Sequence, residues 1–164
     1  MKFMTSLPAL LFVSALLPGV AQSHGPESHA KPAATTVEDQ AGPAVKVVEQ
    51  FSTALQAGDL ERAGALLSDD VLILESGGAE RSRDEYLGGH AGHDAEFLKQ
   101  AHVQLVHRTA RKDGDLAWVG SESELHTSKD GKPMTLLSTE TMVLKNTPEG
   151  WRIVHIHWSS RTKR

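Results

Sequence analysis

The 164-residue chain has no cysteine. This excludes a disulfide framework, a thiolate metal centre and a lipid-anchored N-terminus, so any metal site must be built from histidine and carboxylates. The chain also lacks a basic excess: 17 Lys and Arg stand against 21 Asp and Glu, a formal net charge of −4, which argues against nucleic acid as a partner. No serine sits in a recognisable nucleophile elbow, and no segment repeats another. The one long apolar run, Leu7 to Val20, is shorter than the roughly 20 residues needed to span a bilayer and is broken by Pro18-Gly19.

That run reads as the centre of a secretory signal peptide. It is preceded by Met1-Lys2-Phe3-Met4 and closes on the small-residue stretch Ala21-Gln22-Ser23. Residues 1–23 are expected to be removed by cleavage after Ala21 or Ser23, delivering a periplasmic or secreted protein with no membrane attachment. Lys2 is the only charge lost, and all nine histidines lie beyond the cut. Residues 24–42 are polar and proline-containing with no apolar periodicity, and are expected to form a disordered leader.

Beyond the leader the pattern becomes regular. Ala44, Val47, Val48, Phe51, Ala54 and Leu55 recur at helical spacing until Gly58. Asp59 then caps a second helix whose apolar face is Leu60, Ala63, Leu66 and Leu67. Residues 71–75 read as a short buried strand closed by Ser76-Gly77-Gly78. Ser82 with Glu85 three residues later forms a capping box for a third helix bearing Tyr86 and Leu87, interrupted by Gly88, Gly89 and Gly92. A short helical segment around Ala95 to Leu98 follows. Four longer strands are predicted at 102–111, 115–127, 134–145 and 151–160, separated by turn residues such as Lys112-Asp113-Gly114 and Lys129-Asp130-Gly131-Lys132. Helices first and an antiparallel meander afterwards define an α+β architecture, with N-terminal helices on one face of a curved antiparallel sheet.

Three segments give this order of elements a family likeness. They are Val48-Glu49-Gln50-Phe51 through Gly58-Asp59, Ser138-Thr139-Glu140-Thr141-Met142-Val143-Leu144, and the closing strand Gly150-Trp151-Arg152-Ile153-Val154-His155-Ile156-His157-Trp158-Ser159. Together they resemble the nuclear transport factor 2-like superfamily, in particular its SnoaL-like branch, over residues 43–161. The resemblance implies a cone: a strongly curved antiparallel sheet packed on N-terminal helices, with a mostly apolar pocket for a small molecule at its open end. Such domains include isomerases, polyketide cyclases, dehydratases and non-catalytic modules, so the fold leaves the function open.

Strict strand alternation puts Trp151, Ile153, His155, His157 and Ser159 on one side of the closing strand, and Arg152, Val154, Ile156 and Trp158 on the other. In the resembling family a polar pair on this strand faces the cone interior, which implies catalytic roles for His155 and His157. Trp158 is then expected on the reverse face, with Trp118 and Trp151 in the core or pocket wall. Glu75, at the end of the first strand, is a candidate proton shuttle, because desolvation would raise its pKa. Tyr86, His90, Glu140 and Trp151 are candidate ligand-binding residues. His90 occupies the second position of a family His pair whose first position is here Gly89. The face on which Glu140 lies depends on hairpin register. Glu122, Glu124 and His126 are expected on a polar outer face, and His102 and His107 on opposite faces of their strand.

The residues thus support a small-molecule-binding domain with cofactor-free acid/base chemistry. The competing expectations are a periplasmic copper or zinc site from His90, His155 and His157, and a non-catalytic dimerisation module. A homodimer is the expected assembly.

Overall fold

The computed structural model describes residues 36–164, so the proposed signal peptide and residues 24–35 of the leader lie outside the described residues. Residues 36–42, expected from composition to belong to the leader, carry regular structure. Thr36–Val37 forms a short strand, β1, and Asp39–Ala41 a 3-10 turn that buries Ala41 completely. Helix α1 (Gly42–Ala57) carries Pro43 in its first turn, where the missing N–H has no helical acceptor to lose. It buries Ala44, Val48, Phe51, Ala54 and Leu55, and ends at Gly58, whose φ of 76° is the left-handed conformation that glycine adopts without strain.

Asp59 accepts a hydrogen bond from the Arg62 amide and starts α2 (Leu60–Gly64). This helix is shorter than the apolar spacing suggested. The Leu66 carbonyl accepts a hydrogen bond from the Ile153 amide, and Leu67 begins β2 (Leu67–Glu75), so sheet pairing overrides a weak helical preference. Ser76 and Gly77 turn the chain at positive φ into β3 (Gly78–Glu80), a strand that glycine-rich composition had concealed. Ser82 caps α3 (Arg83–Gly88) as expected, its Oγ accepting from the Glu85 amide, while the Glu85 carboxylate reaches one residue further back than a capping box requires and accepts from the Arg81 amide. At Gly89 a Cβ would stand 2.9 Å from the Glu85 carbonyl oxygen, so the break before α4 (Ala91–Gln100) requires glycine there.

Four long strands follow: β4 (His102–Asp113), β5 (Leu116–Lys129), β6 (Lys132–Thr147) and β7 (Gly150–Thr162). The sheet order is β1-β4-β5-β6-β7-β2-β3. Pairing is antiparallel throughout, except that β1 runs parallel to β4 and β2 parallel to β7. The domain is therefore α+β, with helices packed on one face of a large curved, mostly antiparallel sheet.

Two bulges decide which side chains face the helices. In β7, Ile153 pairs with Leu144 but His155 pairs with Val143, leaving Val154 as an extra residue. In β4 the register shifts in the same way between Leu105 and His107. Each bulge reverses the alternation beyond it. A continuous apolar row then crosses the concave face, Ala110–Val119–Met142–Ile156–Ile73, each residue the cross-strand partner of the next and all fully buried.

Candidate functional site

Two residues further along each strand lies a second row on the same face: Arg108, Ser121, Glu140, Trp158 and Glu75, again successive cross-strand partners on β4, β5, β6, β7 and β2. Beyond it the face continues with Leu105, Ser123, Ser138 and Ser160, then with Val103, Leu125 and Leu136. These rows, together with Phe51, Leu55, Phe97 and Leu98 from α1 and α4, enclose a cavity of about 300 Å³. That is the small end of the range of roughly 300–1,000 Å³ found for ligand sites. Phe97, Val103 and Leu105 are partly exposed around the cavity.

Glu140 is the most constrained carboxyl in the row. Trp158 Nε1 donates to its Oε2 at 2.8 Å, and Trp158 is itself held by stacking on Phe51, with centroids 6.4 Å apart and planes 18° from parallel. Burial raises the Glu140 pKa above the ordinary range; the Trp158 hydrogen bond, the Arg108 charge and the Ser121 hydroxyl oppose this without reversing it. Arg108, whose side chain is 10% exposed, donates from Nε to Ser121 Oγ at 3.2 Å and from Nη1 to Glu49 Oε1 at 3.0 Å.

A second polar group meets the cavity from α3 and α4. Tyr86 is buried, and its hydroxyl donates to Asp94 Oδ2 at 3.0 Å. Burial and neighbouring carboxylates push the Tyr86 pKa far above its ordinary range, so it stays a neutral donor. Burial likewise raises Asp94 and Glu75, both of which line the cavity. Behind them the buried Glu80 carboxylate hydrogen-bonds His90 Nδ1, and this contact raises the His90 pKa.

Of the residues singled out from sequence, Glu75 and Glu140 line the cavity, and Tyr86 reaches it through Asp94. His90 is exposed at the start of α4 and bonded to Glu80, outside the lining. Trp151 packs at the edge of the core, away from the cavity.

His155 and His157 do not face the interior. The bulge at Val154 turns them to the outer face, where His155 Nδ1 bonds the Leu72 carbonyl at 2.8 Å, and brings Ile156 and Trp158 inward instead. The three imidazoles of His90, His155 and His157 therefore do not converge, and among the described residues no group of three His, Asp or Glu side chains could hold a metal ion. The β4 bulge puts His107 on the same outer face as His102, rather than the opposite one. Glu122, Glu124 and His126 lie on the outer face as expected, opposite Ser121, Ser123 and Leu125. Trp118, expected in a wall, is 39% exposed on that face.

Reasoning from the sequence did not identify Arg108, Asp94, Glu80 or Trp158 as site residues. Arg108 and Trp158 were obscured by the bulges. The complement of the acidic outer stripe, Ser121 and Ser123, was the available signal for a polar interior.

The SnoaL-like domain family matches residues 45–162, most of the chain, and the chain belongs to this family. A provisionally assigned ketosteroid isomerase from Shewanella frigidimarina is similar to it at 35% identity, over 71% of this chain and 94% of that one, with a TM-score of 0.68. A protein with the nuclear transport factor 2-like, cystatin-like fold from Novosphingobium aromaticivorans shares 18% identity over 71% and 79% of the two chains, TM-score 0.61. The calcium/calmodulin-dependent kinase II hub of S. rosetta shares 19% over 73% and 95%, TM-score 0.66. The last two show the fold alone. No curated protein matches the chain.

Proposed function

We propose that the domain binds a small carbonyl compound in its cavity and moves protons on it without a cofactor, as an isomerase, cyclase or hydratase does. The observation that carries this reading is Glu140: a buried carboxyl with a raised pKa, held by Trp158 in the wall of the cavity beside apolar side chains such as Phe51 and Leu55. A carboxylate of raised pKa is a stronger base and titrates closer to neutral pH, which suits general acid/base catalysis. As carboxylate, Glu140 takes the proton from the carbon beside the carbonyl, and the C–H electron pair becomes the enolate. The resulting acid returns the proton to a different atom of the ligand. Asp94 and Glu75, also raised by burial, are the second carboxyls from which the enolate oxygen draws a hydrogen bond when protonated. The 35% identity to a provisionally assigned ketosteroid isomerase supports the same class of chemistry.

The test is solvent deuterium exchange beside the carbonyl of small cyclic ketones and keto acids, followed by proton NMR. The wild type accelerates exchange, and Glu140→Gln lowers the rate by about 100-fold or more. Binding without exchange on every probe would reduce the domain to a binding module.

The reading includes export and a homodimer. The signal-like run Leu7 to Val20 supports export, and the protein recovered from a periplasmic fraction should begin after Ala21 or Ser23. Leu72, Leu116 and Trp118, exposed on the sheet away from the cavity, support pairing of two copies, which light scattering of the purified protein reads directly.

A further inference from the structure

Arg108 is placed where a positive charge is expensive. It lies on the cavity floor beside the fully apolar row, and its side chain is nine-tenths buried. Its hydrogen-bond partners compensate it only in part, and Glu140, in the same row and near enough to feel its charge, makes no ion pair with it. Ser121 is neutral, and the Glu49 side chain is 58% exposed and shared with solvent. A guanidinium carries five N–H donors, of which Nε and Nη1 supply the two bonds made here. Among the described residues no fully buried side-chain nitrogen or oxygen lacks a hydrogen-bond partner, so Nη2, which makes neither of these bonds, is not sealed in protein, and Arg108 is one of the residues that line the cavity.

The surroundings define what would meet it. Ser121, Ser123 and Ser138 present hydroxyls along the adjoining strands, whereas Phe97, Val103 and Leu105 are apolar around the rest of the space. We propose, resting on the reading of the cavity as a ligand site, that it takes a small amphipathic monocarboxylate whose carboxylate sits on Arg108 and whose apolar body lies against Phe97, Val103 and Leu105. A planar guanidinium with free donors pairs with a planar carboxylate through charge-assisted hydrogen bonds. A doubly charged group fits less well, because Glu140, Glu75 and Asp94 line the same space and each ionised carboxyl repels the second charge. Arg108 then sets specificity, while Glu140 performs the proton transfer.

The test compares matched probes by titration calorimetry on the full-length mature protein: cyclohexanecarboxylate, benzoate and phenylacetate, each beside its primary amide, with phenylphosphonate as the dianion. The acids should bind about ten-fold or more tightly than the amides, and phenylphosphonate should bind less tightly than benzoate. Arg108→Met should abolish the difference between each acid and its amide. Arg108→Lys, which keeps the charge but not the fork, should retain part of the preference. Circular dichroism and thermal unfolding establish that both variants fold. Amides binding as tightly as acids, or an acid preference that survives in Arg108→Met, would overturn the assignment while leaving the cavity as a ligand site. A phosphonate that binds more tightly than the carboxylate would overturn the monocarboxylate class. If no probe of either kind bound, the ligand-site reading and this proposal would fail together.

Discussion

The apolar row Ala110–Val119–Met142–Ile156–Ile73 and the polar row Arg108–Ser121–Glu140–Trp158–Glu75 lie two residues apart on the same strands and the same face. Backbone geometry, curvature and strand partners are shared between them. Yet the first row is completely buried, and the second lines a cavity holding a cation, two carboxyls and an indole donor. The difference is made by side chains alone: aliphatic groups fill the space under α1 in one row, and hydrogen-bonded polar groups hold it open in the next. A core and a site are thus successive layers of one sheet.

The sharpest break of this comparison sets the inner row against its outer neighbour in β7. Ile156→Asp places an unpaired carboxylate in the fully buried row and should exceed the roughly 5 kcal/mol on which a marginally stable domain depends, abolishing cooperative unfolding in urea. His157→Asp, one residue away on the exposed face, should stay within about 0.5 kcal/mol of wild type. Equal damage from both would mean that the Val154 bulge does not set the facing.

Trp158→Phe keeps an aromatic ring beside Phe51 but removes the donor to Glu140, so it should cost about 1.5–3 kcal/mol of stability when Glu140 is ionised. It should also raise the Glu140 pKa further, since the lost hydrogen bond is one of the influences that lower it. Denaturant melts at neutral and mildly acidic pH read both effects.

Glu140, Glu75 and Asp94 all hold their protons more tightly in the folded chain than in the unfolded one. By linkage their contribution is fully present below the ordinary carboxylate pKa values and is lost as pH rises through the raised ones. His90, raised by Glu80, acts with the same sign at higher pH. Glu124 and Asp70 are lowered by a Lys163 and a Ser68 hydrogen bond respectively, so their contributions are lost instead as pH falls. The stability lost between about pH 4.5 and neutrality should shrink in Glu140→Gln, which cannot ionise. A variant with the wild-type slope would remove Glu140 from this account.

The contrast also explains how much could be read from sequence. Apolar periodicity and turn residues gave α1, the four long strands and the α+β class, because burial of one face depends on spacing alone. Glu75 was legible as a cavity residue because it ends a short apolar strand, and Glu140 as a candidate whose face needed register. The histidines of β7 were misplaced because a bulge adds one residue without leaving a mark in the hydrophobic pattern: Val154 looks like any strand valine. The same kind of bulge obscured Arg108, and β3 was lost because glycines at its start read as loop. Asp94 required the break at Gly89 to be placed before its approach to Tyr86 could be seen.

The most direct measurement is a titration of the Glu140 side-chain carboxyl by carbon-13 NMR in the mature protein. The account predicts a midpoint clearly above the ordinary glutamate value of 4.5, rising further in Trp158→Phe. A midpoint at or below 4.5, unmoved by that substitution, would contradict it.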